Sequence, residues 1–138
     1  NYNSEGLLLL TNDGGMAEKI VKTRSIPKVY MVKVKGHPAR KDIDAIKDGV
    51  FTAEGVVRFD AVELEQSLRN KSWIKLDVTE GSHLDLVELL NRKGFLVDRI
   101  VRTAIGTISI DDLEPGQWKI VSKAEFEKTV RSGDSKTS

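Results

Sequence analysis

The 138-residue chain contains no cysteine, three prolines, two histidines and few aromatic residues. Without cysteine it can form no disulfide and carry no thiolate nucleophile, which suits a reducing compartment. His37 and His83 are too few for a three-histidine zinc centre, so no metal site is read. No apolar run approaches the roughly 20 residues that span a bilayer. The opening lacks the charged start and small-residue cleavage site of a secretory signal. The common chemical fingerprints are missing too. Gly14-Gly15 is too short for a phosphate-binding loop, and neither Gly-x-Ser-x-Gly nor His-Glu-x-x-His occurs.

What is present is an ordinary soluble composition, 39% hydrophobic and 31% charged, on a chain long enough for one domain with a real core. The net charge of +1 gives no global signature for nucleic acid, but the charge is unevenly placed. Residues 1–40 hold seven basic against three acidic side chains, and residues 41–68 hold three against seven. Such a basic face suits a polyanion, or is a solvated surface of mixed charge.

Periodicity gives a sequence of elements. Leu7 to Thr11 reads as a short buried strand closed by an Asn12-Asp13-Gly14-Gly15 turn. Met16 to Arg24 reads as a helix that must end before Pro27. Val29 to Lys35 alternates, with Tyr30, Val32 and Val34 on one face. Residues 39–48 form a second helix, with Ala39, Ile43 and Ile46 inward and Gly49 at its end. Val56 to Gln66 reads as one strand with a bulge near Ala61. Trp73 to Thr79 is a strand with Ile74, Leu76 and Val78 on one face. Ser82 with Asp85 opens a helix ending at Gly94, and Ser122 with Glu125 opens the last one. Phe95 to Ala104, Thr107 to Ile110 and Gln117 to Val121 complete the strands. This mixture without regular alternation favours an α+β fold, a largely antiparallel mixed sheet with helices packed on it. Residues 131–138 read as a disordered polar tail after a domain over 1–130.

The order of segments carries more. Asn1-Tyr-Asn-Ser-Glu-Gly-Leu-Leu-Leu-Leu-Thr-Asn-Asp-Gly closely resembles the central motif of bacterial ribosomal RNA pseudouridine synthases, the group with a small N-terminal RNA-binding domain. Pro27 to Gly36 looks like that family's Lys-x-Tyr strand. Gly49-Val50 with Ala61-Val62 is similar to its acidic middle segment. Glu80-Gly81, Gly94, Arg99, Arg102, Ile105-Gly106 and Leu113 to Trp118 resemble its closing segment. The matches span roughly residues 1–121 in the family's order, so the chain reads as the C-terminal portion of that catalytic domain, its upstream part cut away.

The resemblance implies a cytoplasmic isomerase of ribosomal RNA that needs no cofactor. Such an enzyme flips a uridine into its pocket, breaks the base–ribose bond, rotates the base and rejoins it through carbon 5. An aspartate is essential, as nucleophile or as base at the ribose. A tyrosine stacks on the base, and an arginine pairs with the aspartate. The tyrosine falls on Tyr30, which is otherwise a core aromatic. The aspartate position falls on Asn1, whose amide cannot act as a carboxylate nucleophile. The arginine position falls on Val87, and basic neighbours expected there have become Ser82, Leu84 and Glu88. Lys28, Lys33, Lys35 and Arg102 are the candidate RNA contacts; the three lysines are equally the solvated face of a strand. His83 is a site residue at a helix start, or a surface histidine beside a cap. The chain is therefore expected to be impaired as it stands. The alternative is a non-catalytic RNA-binding or ribosome-assembly module on the same scaffold. Leu7 to Leu10 is expected to border an open sheet edge that invites a homodimer or strand exchange.

Overall fold

The computed structural model describes residues 5–23, 26–53, 55–79, 85–110 and 113–134. Its elements run β1 (Glu5–Gly6), α1 (Gly14–Lys22), β2 (Lys28–Lys35), α2 (Arg40–Lys47), β3 (Val50–Thr52), β4 (Gly55–Val57), β5 (Ala61–Ser67), β6 (Lys71–Val78), α3 (Leu86–Arg92), β7 (Val97–Ile105), β8 (Ile108–Ser109) and α4 (Lys123–Asp134). The main sheet has the order β1-β7-β2-β6-β5, with β8 hooked onto β7 and β3-β4 forming a separate hairpin. Among the described residues only the β1–β7 pairing is parallel. The fold is α+β, as the mixed pattern of elements implies.

The sheet's centre follows from alternation. Val32 and Val34 on β2 lie across from Ile74 and Ser72 on β6, and all four are buried. Leu76 and Val62 continue this face outward to β5. Helix α2 presses Ile43 and Ile46 onto it, and α3 adds Leu86, Leu89 and Leu90. Complete burial of Ile, Leu or Val contributes about 1.5–3 kcal/mol each, so this layer dominates stability. A second, smaller cluster of Leu7, Ile26, Ile105 and Ile108 lies where β1, β7 and β8 meet.

Several expectations need correction. The strand at the start is Glu5–Gly6, not Leu7 to Thr11. Leu7 is buried, but Leu8 and Leu10 are 69% and 86% exposed, because the ladder to β7 stops after Leu7 accepts its place beside Arg102. Gly14 and Gly15 open α1 rather than turning the chain, since the Asp13 carboxylate accepts from the Gly15 and Met16 amides. Ala39 is exposed at the start of α2, one residue too early to face the core. Residues 56–66 form two strands in two sheets, so the change of parity at Ala61 is a corner and not a bulge. Asp85 caps α3 by accepting from the Glu88 amide, while Ser82 and His83 lie outside the described residues. Gln117 to Val121 is not a strand. Helix α4 continues through Asp134, into the stretch read from composition as a disordered tail. It docks on the β7–β8 turn, where the Thr107 and Thr129 hydroxyls lie 3.0 Å apart.

Candidate active site

Three of the residues singled out in the sequence come together where β2 meets β7. Tyr30 lies directly across from Arg102 on β7 and from Leu76 on β6. Directly opposed residues share a face, with Cβ atoms about 4.5–5.5 Å apart. The Tyr30 ring is half-buried and leans on the main core. Lys28 precedes it on the same face, flanked by Val78 and Ile105. A register shift between Val29 and Tyr30 inserts Thr103 into β7 and re-aims Arg102.

Arg102 organises the entry of β1. Its Nε and Nη2 both donate to the Leu7 carbonyl, at 3.0 and 2.6 Å. The Leu7 amide donates back to the Arg102 carbonyl at 2.8 Å. One turn of the ladder away, Arg99 grips Glu5 with three contacts of 2.7–3.0 Å, which holds the Glu5 carboxyl below its usual range. Residues 5–7 are thus tied to β7 on both sides of Gly6. Sequence reasoning grouped Arg99 and Arg102 with the closing segment but missed this clamp, because its partners lie more than 90 residues apart.

Lys28 is held below the usual lysine range, first by burial and then by the Arg102 charge. The other lysines lie elsewhere. Lys33 falls on the opposite face by alternation, its ammonium 5.4 Å from the Trp73 ring centre and 4.0 Å from Asp98. Lys35 is exposed at the end of β2. Val87, on the first turn of α3, packs against the main core, and the neighbouring Glu88 pairs with Arg92 at 2.7 Å. Asn1 lies outside the described residues. Among the described residues no group of histidine and carboxylate side chains is arranged to hold a metal ion.

One prediction arises here. Arg102→Gln removes a charged donor pair from a half-buried carbonyl, so stability should fall by about 1.5–3 kcal/mol. Lys28 should titrate higher in that variant, yet stay below an ordinary lysine, because burial is the larger cause. Chemical denaturation and the pH dependence of the lysine side-chain resonances read both effects. An unmoved Lys28 would contradict the proximity.

Known proteins resemble the chain in sequence and in fold. The ribosomal large subunit pseudouridine synthase E of Xanthomonas campestris pv. campestris is 32% identical over 136 residues, covering 87% of this chain and 73% of that protein. The chain belongs to the RNA pseudouridine synthase family. An uncharacterised RNA pseudouridine synthase of Aquifex aeolicus is 31% identical over 133 residues, covering 96% of the chain and 53% of that protein. The chain therefore spans about half to three quarters of the length of these relatives. No family model matches. Among solved structures, a crystal structure of pseudouridylate synthase superposes with a TM-score of 0.75 at 22% identity, over 94% of this chain and 56% of that one. An H/ACA ribonucleoprotein bound to a substrate RNA containing 2′-deoxyuridine gives 0.53 at 16% identity, over 70% and 34%. These likenesses carry the fold of the family.

Proposed function

We propose that this chain is the uridine-isomerising part of a pseudouridine synthase acting on ribosomal RNA in the cytoplasm, impaired as it stands. The observation that supports the reading is the cross-strand group of Tyr30, Lys28 and Arg102 beside the clamped segment of residues 5–7. In the resembled family the essential aspartate stands four residues before the position of Glu5, at Asn1. Tyr30 stacks on the flipped uracil. Lys28, half-buried next to it, meets the phosphate of the flipped nucleotide, and that contact offsets the cost that burial places on its charge. Arg102 acts through the Leu7 carbonyl as a positioning residue, fixing the segment that presents residue 1. No metal or organic cofactor enters the reaction, which only exchanges one glycosidic bond for another.

The impairment follows from residue types. An amide at Asn1 cannot carry the negative charge of a carboxylate or attack as one. Val87 leaves that carboxylate position without its arginine. The expected outcome is background tritium release when the unaltered chain meets RNA labelled at carbon 5 of uridine. Robust turnover would refute the impairment.

A second reading, a non-catalytic RNA-binding or assembly module, is favoured by one observation: Val87 is packed into the core rather than left as a gap. Salt-dependent binding of ribosomal RNA fragments with no isomerisation, even with aspartate at position 1, would select it.

Leu8, Leu10, Trp118 and Ile120 present large apolar side chains to solvent. With the outer edge of β1 unpaired among the described residues, we propose that the chain dimerises or exchanges strands there. Sedimentation at high protein concentration should show a dimer; a clean monomer would contradict it.

A further inference from the structure

At the end of β2 away from Tyr30, the chain leaves the sheet through Gly36, His37 and Pro38 and re-enters as α2. Here a cavity of about 280 Å³ opens between Lys35, His37, Pro38, Asp42, Lys93, Gly94 and Phe95. Its volume is near the lower end for small-ligand pockets, too small for a duplex end and sufficient for one nucleotide. Hydrogen bonds brace its walls. The His37 Nε2 lies 2.6 Å from the Leu68 carbonyl, to which it donates. Asp42 accepts from the Ala39 amide at 2.9 Å, and the Lys35 amide donates to the Leu96 carbonyl.

The charge around this cavity is unbalanced. Lys33 and Lys71 already share the single carboxylate of Asp98, at 4.0 and 2.8 Å. Lys35 adds to the same field, since its charge also favours ionised Asp98. Neither Lys35 nor Lys93 has an ion-pair partner among the described residues, and Asp42 is the one acid on the wall. Two unmatched ammonium groups beside one carboxylate suit a ribonucleotide unit better than a simple anion. The ammonium groups take the phosphate, and the carboxylate accepts from a ribose hydroxyl.

We infer that this cavity holds one nucleotide of the bound RNA, remote from the target uridine, its phosphate met by Lys35 and Lys93 and its ribose by Asp42. The inference rests on the RNA-modifying reading above. Lys35 lies five positions along β2 from Tyr30, about 17 Å on an extended strand, and on the other face of the sheet by alternation, so the contact belongs to a part of the RNA several nucleotides from the target.

The test is the salt dependence of binding of a fluorescein-labelled single-stranded oligoribonucleotide, measured by anisotropy. The unaltered chain is compared with Lys35→Gln, Lys93→Gln and the double variant, and with Lys128→Gln on α4 as control. Losing this phosphate contact should lower the slope of log affinity against log salt; the double variant should lose about 0.7 and the control nothing. A normal slope in the double variant, with salt-dependent binding by the unaltered chain, overturns this inference alone. A flat response from the unaltered chain overturns it together with phosphate-led RNA binding. Uridine monophosphate is titrated in parallel while the Lys35 and Lys93 resonances are followed. Shifts with the mononucleotide but none with the oligoribonucleotide would make the cavity a small-anion site and reject the proposal.

Discussion

Replacing Gly6 by alanine is expected to lower stability by about 2–4 kcal/mol, roughly 10 °C in Tm. Two costs combine. Gly6 has φ of +107°, a conformation that residues with a Cβ rarely adopt. A Cβ there would also sit 2.2 Å from the Arg102 carbonyl oxygen and 2.7 Å from its nitrogen. Both atoms are backbone of β7, so no rotamer change relieves the contact. The two-residue strand β1 must leave the sheet, and the Glu5–Arg99 and Leu7–Arg102 contacts go with it. Hydrogen exchange locates the damage: the Leu7 amide, which donates to the Arg102 carbonyl, should lose its protection before amides of β2 and β6 do. An unchanged Tm with a protected Leu7 amide would show that residues 5–7 do not depend on this close approach.

The other large effect is a gain. Asn1→Asp is expected to raise tritium release from carbon-5-labelled uridine RNA by about 100-fold or more over the unaltered chain, the usual scale for restoring an acid–base or nucleophilic carboxylate. Val87→Arg is a poor companion change, because Val87 packs against the main core and a guanidinium there would be desolvated. The restored rate should rise with pH as the carboxyl ionises, and should fall again in Gly6→Ala, where the segment carrying residue 1 is released. No gain in Asn1→Asp, with RNA still bound, would favour the non-catalytic module.

How much of this the sequence shows depends on where the physical signal is local. Strands β2 and β6 are plain from alternation, because each buries one face only and Val32, Val34, Ile74 and Leu76 mark it. Helix α2 is plain from Ile43, Ile46 and the glycine that follows. The apolar runs mislead. Leu7 to Leu10 and Gln117 to Val121 look like strands, yet strand formation needs a ladder partner, and apolar composition does not supply one. The two glycines after Asp13 suggest a turn until the aspartate is seen as a cap. At the candidate site, Tyr30 and Lys28 are legible as one motif on one strand. Arg102 is legible as a residue but not as a contact. Its hold on Leu7 depends on a parallel pairing between opposite ends of the chain, which no local pattern encodes. The cavity of Lys35 and Lys93 was hidden for the same reason: its walls come from three separate segments.

The most direct measurement is of the product itself. Ribosomal RNA is incubated with the Asn1→Asp chain and with the Asn1→Asp, Tyr30→Ala chain, then digested and its nucleosides separated and counted. Pseudouridine from the first and none from the second is the expected result. Equal yields from both, or none from either while the RNA remains bound, would contradict a uridine-isomerising site built around Tyr30.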